Sequence, residues 1–344
     1  MTRGGGAEGA SLGPAEKPPR HIPVLVSEVL ETLAPKDGET HIDGTFGAGG
    51  YTRAILGAAN CNVLALDRDP NSIRDAATLV EEAAGRLKVV ESPFSQMEDA
   101  VREGLLGRTV DGVVLDIGVS SMQLDDAARG FSFQSDGPLD MRMSSFGMSA
   151  ADFVNTAEEE EIADVIYTFG EEHRSRAIAR AIVKRRGEAP FTRTLELAET
   201  VLRVFHGRKV DGRHPGTRTF QALRIFVNDE LGELAKGLSA AERVLKPGGR
   251  LVVVSFHRLE DRIVKKFLTE RSGKTAGASR HLPAESIKST EPSFRIVNSR
   301  PLTPSKGELE VNPRARSARL RAAIRTEAAA WPLDLDAMGV PQHR

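Results

Sequence analysis

Three short apolar runs that each end in an aspartate constrain this chain more than any other feature. They are His41-Ile42 leading into Asp43, Asn62 to Leu66 ending at Asp67, and Gly112 to Leu115 ending at Asp116. A fourth run, Leu87 to Val90, lies between the second and the third. Runs with no polar alternation suit strands of a parallel sheet covered on both faces. Stretches with helical spacing separate or precede them at Val24 to Leu33, Thr52 to Leu56 and Ser72 to Ala84. The alternation predicts an α/β, doubly wound, Rossmann-like core with ligands at the carboxyl ends of its strands.

The rhythm stops after Asp116. Residues 121–147 read as loop, and Ser149 to about Arg208 as helix, with stretches at 157–168, 171–187 and 194–206. Thr156 with Glu159 predicts a capping box at the start of the first stretch. Strand character returns at Arg250 to Ser255, after the turn Lys246-Pro247-Gly248-Gly249. Phe294 to Val297 and Ser317 to Ile324 are expected to close the sheet as a hairpin. The expected organisation is therefore a core of residues 21–123 and 214–326, split by an inserted helical domain at 124–213. Residues 1–20, rich in Gly, Pro and Ala, are expected to form a disordered tail, and 327–344 a second tail.

Composition removes several function classes. The single Cys61 excludes an intramolecular disulfide framework and a cysteine zinc cage, and no ligand-spaced cluster stands out, so no metal is expected. No apolar run is long enough to cross a bilayer, and the N-terminus lacks the apolar stretch of a signal peptide. The expectation is a cytoplasmic protein with no membrane partner. Lys and Arg number 47 against 48 Asp and Glu, so the total charge carries no nucleic-acid signature. The distribution is uneven, however, with 13 Lys and Arg against six Asp and Glu over residues 171–224. Arg314, Arg316, Arg319, Arg321 and Arg325 form a second, acid-free run. Two such patches fit phosphate contacts.

The segment Asp43-Gly44-Thr45-Phe46-Gly47-Ala48-Gly49-Gly50 follows the first strand and precedes a helix, as a ligand-cradling loop does. Asp67 ends the second strand, where a carboxylate can accept hydrogen bonds from both ribose hydroxyls of an adenosine. The glycine spacing is not that of a pyrophosphate-binding loop, which disfavours a nucleotide-dependent oxidoreductase. An acidic residue leading the loop suits a cationic ligand. S-adenosylmethionine, with its sulfonium and ammonium, meets that requirement, and Asp43 would attract its positive end. Phe94 in Ser92-Pro93-Phe94 is placed to pack on the adenine or in the core, and Asp116 ends the fourth strand at the ligand edge.

These features, with Asp116-Ile117-Gly118-Val119-Ser120-Ser121-Met122-Gln123, resemble the bacterial 16S ribosomal RNA cytosine-N4 methyltransferases. Arg129-Gly130-Phe131-Ser132-Phe133, Asp136 to Arg142, Thr217 to Arg224, Ser255 to Arg262 and Asn312 to Ser317 extend the likeness over about residues 21 to 325. The resemblance implies a class I methyltransferase core with an inserted helical domain, methylating the exocyclic amine of a decoding-region cytidine. It assigns Gly49, Gly50, Tyr51, Asp67, Phe94, Asp116 and Gln123 to S-adenosylmethionine, alongside Asp43 and Gly47 from the loop reading. It implies 16S ribosomal RNA within the small subunit as partner, and a homodimer is compatible with it. Many family members carry His where this chain has Tyr51; a backbone contact survives that change and an imidazole role does not.

Cytosine N4 is a poor nucleophile because its lone pair is delocalised into the ring. An acceptor for its N–H frees that lone pair, and alignment supplies the rest. Asp116 and the backbone of Ile117 to Ser120 are the candidate acceptors. The Pro-Pro-aromatic tetrapeptide of DNA amino-methyltransferases is absent. His257 and Glu260-Asp261 read as cleft lining or as helix capping and surface pairing. A non-catalytic RNA-binding assembly factor is the remaining alternative, opposed by the intact Asp43, Asp67 and Asp116.

Overall fold

The computed structural model describes residues 23–104, 109–210, 212–274 and 290–342. The expected tail at 1–20 lies outside them. Seven strands form one sheet: β1 (Thr40–Asp43), β2 (Asn62–Asp67), β3 (Leu87–Glu91), β4 (Val110–Asp116), β5 (Leu245–Ser255), β6 (Phe294–Ile296) and β7 (Arg319–Arg325). Their order is β3-β2-β1-β4-β5-β7-β6. The first five run parallel, and β7 pairs antiparallel with both β5 and β6. This is the expected Rossmann-like class I methyltransferase core, closed by the late hairpin. The chain winds in opposite directions from β1 and β4, which are neighbours, so their carboxyl ends open a crevice.

Alternate strand residues feed two cores, as a pleated strand requires. Val63, Ala65, Val114, Val252 and Val254 pack with helices α1 (Val26–Leu33) and α2 (Gly50–Ala58) on one face. Leu64, Leu66, Val113, Leu115, Leu251 and Val253 face the other way, onto α5 (Met97–Gly104), α12 (Glu230–Val244) and α13 (Arg258–Arg271). With both faces buried, the strands cannot show polar alternation. That is why they read as unbroken apolar runs.

Between β4 and α12 lie α6 (Ser121–Asp125), α7 (Ala150–Thr156), α8 (Glu159–Gly170), α9 (Ser175–Arg186), α10 (Thr194–Val204) and α11 (Gly216–Val227). Ile162, Val165, Ile166 and Phe169 of α8 are buried, and α8 packs mainly on α9 and α11. By packing, α11 therefore belongs with the helical insertion, beyond the expected boundary at 213. The insertion and the sheet also share one continuous apolar core.

Several local expectations need correction. The stretch from Ser72 is two helices, α3 (Pro70–Asp75) and α4 (Ala77–Glu82), separated at Ala76, whose N–H donates to Ile73 O in a tighter turn. Thr156 caps nothing: it ends α7, and its hydroxyl donates to Asp152 O. The capping box sits one helix earlier, between Ser149 and Asp152. Instead, α8 begins with three acids, Glu159, Glu160 and Glu161, which suit the positive end of the helix dipole. The segment after Glu327 packs down rather than trailing as a tail. Met338 is buried, and the Trp331 backbone N–H donates to the buried Glu242.

Candidate active site

A cavity of about 520 Å³ opens at the carboxyl ends of β1, β2 and β4 and extends to α11. At its sheet end the loop after β1 folds under Asp67. Gly47 N–H donates to Asp67 Oδ2 at 2.7 Å, and Asp69 N–H donates to Oδ1 at 2.8 Å. The carboxylate is thus fixed in orientation. Burial pushes its carboxyl up from the usual range, against those two bonds.

Gly49 has φ +75°, a left-handed turn that lets the chain enter α2 without Cβ strain. Gly50 packs against Pro23, and both it and Gly47 line the cavity, whereas Gly49 stands behind them. Tyr51 lines the cavity, but its hydroxyl donates to Val24 O and its ring joins the core. Its side chain ties the chain before α1 onto the loop, a structural use in which no imidazole-type chemistry appears.

Asp43 corrects an expectation. It is fully buried, accepts from Thr52 Oγ1 at 2.7 Å and Thr45 N–H at 3.2 Å, and does not reach the cavity wall. Burial pushes its carboxyl up to about 6. Its bonds brace the loop. Asp116 is the opposite case. Its carboxyl lines the cavity, and Oδ1 is buried with no hydrogen-bond partner among the described residues. Burial, then the charges of Asp43 and Glu260, push it well above the ordinary carboxylate range. A buried acceptor left unpaired costs stability.

Phe94 lines the cavity and also packs closely against Gly237 of α12, so ligand contact and core packing coexist there. Gln123 is spent locally: its Oε1 accepts from Ser120 N–H at 3.0 Å, and its Nε2 donates to Asp69 Oδ2 at 2.9 Å. One Nε2 hydrogen remains for a ligand. Asp69 is the residue that sequence reasoning missed. It caps α3 through Asn71 N–H, and Arg129 Nη1 donates to it at 2.6 Å. Asp69 thus links the β2 loop to the insertion. Asp-Pro at a helix start is a readable cap signal; the link to residues 123 and 129 is not.

Ligand-type atoms of Glu230, His257 and Glu260 lie within 4.8 Å of one another, a grouping that sequence spacing did not show. Arg224 forks onto both oxygens of Glu230 at 2.7 and 2.8 Å. Burial opposes the charge on Glu260, yet His257 and then Arg224 hold its carboxyl below the usual value. His257 is the N-cap of α13 and also lines the cavity, so both readings of it hold. Asp261 pairs with Arg319 and Arg321, and Arg325 is buried against backbone carbonyls. Three of the five cations in the C-terminal run therefore brace the sheet edge instead of meeting phosphate. In the insertion, Arg186 donates to Val154 O and Ala157 O, while Arg176, Lys184, Arg208, Lys209 and Arg213 remain exposed.

No helix among the described residues is long and apolar enough to cross a membrane. Residues 19–326 match the model of the MraW methylase family. A "Ribosomal RNA small subunit methyltransferase H" of Parvibaculum lavamentivorans is 60% identical over 93% of this chain and 93% of its own length. One of the same name from Xanthobacter autotrophicus is 59% identical over 94% and 93%. An rRNA methylase structure from Streptococcus thermophilus aligns over 88% of this chain and 94% of that one, with TM-score 0.39 and 8% identity. The fold assignment rests on strand order, not on that distant likeness.

Proposed function

The chain belongs to the MraW methylase family, and on that premise we propose that it methylates the exocyclic N4 of a cytidine in the decoding region of 16S ribosomal RNA, using S-adenosylmethionine. The observation that carries the reading is a cavity whose sheet end brings together the fixed Asp67 carboxylate and Asp116, a carboxyl with one buried oxygen that has no partner among the described residues. Names of close relatives supply the ribosomal substrate; the residues supply the chemistry.

When bound, the cofactor supplies a methyl group made electrophilic by its sulfonium. Asp67 would hold the ribose hydroxyls, Gly47 and Gly50 would form the floor, and Phe94 would flank the adenine. Gln123 would offer its remaining N–H. Asp116 regains its negative charge beside a cationic ligand, because an opposite charge within a few ångströms favours ionisation. Asp116 then accepts an N4–H, keeps the amine lone pair out of the ring and takes the proton that leaves as the C–N bond forms. Backbone carbonyls of Ile117 to Ser120 share the amine. No covalent intermediate is needed, since attack at C6 serves carbon methylation and not amine methylation.

A target inside a structured subunit must leave its stack to reach this cavity. The exposed Arg208, Lys209 and Arg213 just before α11 would meet phosphates near the mouth. The test is transfer of labelled methyl groups to small subunits from cells lacking the gene, followed by mass spectrometry of the nucleosides. The expected product is N4-methylated cytidine at one decoding-region site; methyl groups on another base or atom would overturn the assignment.

A further inference from the structure

The cavity has a second end, and we propose that this end seats the target base, with the Phe133 ring as the face on which a flipped-out pyrimidine stacks. The inference rests on the function proposed above and assigns its substrate subsite.

The sheet end is built from carboxylates and glycines. The far end is walled by Phe133 and Phe220, with Thr217 and Gln221 beside them. Gly130 fixes the loop that carries Phe133: its φ is +72°, and a Cβ there would lie 2.1 Å from Pro138 O. Backbone bonds from Met141 N–H to Arg129 O and from Gly130 N–H to Ala127 O hold the same loop. Both Phe131 and Phe133 line the cavity, but Phe131 is buried in the core while Phe133, two residues on, is only half-buried.

Neighbouring rings grip Phe133. Phe220 meets it edge-on at 4.7 Å and 69°, and His214 lies 4.7 Å away at 45°. Burial and then the charge of Lys209 push His214 toward its neutral form, so this support carries no fixed charge. A ring held in place loses little entropy when a base stacks on it, and every base has a π face to offer. Gln221 Nε2 donates to Phe169 O at 3.3 Å, which leaves Oε1 as an acceptor near the base edge. Phe94 packs on α12 at the sheet end, so the two aromatic groups serve different parts of the cavity.

The experiment compares the wild type with Phe133→Leu and Phe133→Tyr, because leucine keeps apolar volume but has no π face. Binding of cytidine 5′-monophosphate is read by saturation-transfer NMR, and single-turnover methylation is read on unmodified small subunits. Stacking predicts that Phe133→Leu loses about tenfold or more in both, that Phe133→Tyr stays close to wild type, and that S-adenosylmethionine affinity is unchanged. Wild-type behaviour of Phe133→Leu in nucleotide binding would overturn the inference. So would an equal loss in cofactor affinity, which would give this end to the cofactor. A wild type that binds the nucleotide through Phe133 but leaves subunits unmethylated would overturn the proposed function while supporting the subsite.

Discussion

At the sheet end of the cavity a buried carboxyl oxygen stands without a partner; in the helical insertion several arginines have one. Asp116 keeps an unpaired buried oxygen, whereas Arg185, Arg193, Arg218 and Arg224 each face a carboxylate within 4 Å. The two regions differ because they solve different problems. In the helical insertion the arginines that pack between elements are met by carbonyls and acids of the chain, while Arg176, Lys184, Arg208, Lys209 and Arg213 stay exposed. The strand ends of an open sheet need no such pairing, since the crevice is to be filled from outside. The comparison separates polar groups that are satisfied within the fold from one that is not, a distinction that a count of Lys and Arg does not make.

The sharpest way to break the comparison is Asp116→Asn. If the unpaired oxygen serves the reaction, single-turnover methylation should fall by more than about 100-fold, the scale of one positioned catalytic group. Cofactor affinity should change much less, because the loss lies in the transition state. Normal turnover at saturating cofactor would return Asp116 to a purely binding role.

Asp67→Ala comes next. Losing charge-assisted ribose bonds of roughly 1.5–3 kcal/mol should weaken S-adenosylmethionine at least tenfold by calorimetry. Unchanged affinity in a folded variant would sink the ribose assignment.

On the insertion side, the triple variant Arg208→Ala, Lys209→Ala, Arg213→Ala removes exposed cations only. Subunit binding should weaken, and its salt dependence should flatten by about one counterion per lost phosphate contact. Cofactor affinity should hold. Replacing the whole of 124–213 by a linker is a poorer experiment than the sequence suggests, because that segment shares its core with the sheet.

The smallest effect on turnover is expected from Asp43→Asn, since this acid never reaches the cavity. Its signature is in stability. A carboxyl raised from 3.8 to about 6 stabilises the fold fully below pH 3.8 and loses that contribution as the pH climbs through 6. The wild type should therefore lose up to about 3 kcal/mol between those limits from this group, at about 1.4 kcal/mol per unit. Asp43→Asn should remove that slope from the denaturation profile, and an unchanged profile would show that Asp43 ionises freely.

Legibility followed sequence distance. Asp43, Asp67 and Asp116 each close an apolar run, so strand, end point and carboxylate are read from a few adjacent residues. The Gly44–Gly50 loop is equally local. What that reading could not separate was Asp43 from Asp116, identical in pattern, the one bonded within the loop and the other lining the cavity. Thr52, nine residues from Asp43, supplies the bond that turns it inward. The C-terminal arginines failed the same way: an acid-free run in sequence meets its acid, Asp261, about 60 residues away. The helical boundary near 213 slipped because a turn is visible locally, while the choice of α11 to pack on α8 is not.

The sequence by itself determined the strands, the sheet class and the glycine loop after the first strand through short-range pattern, since buried parallel strands and tight turns leave only a few residue types that fit. Which carboxylates are spent and which are left over, which arginines brace the fold, and that Phe133 stands on the cavity wall between Phe220 and His214 were decided by the tertiary structure. Those outcomes depend on partners scores of residues away, brought together only when the sheet and the insertion bury a common core.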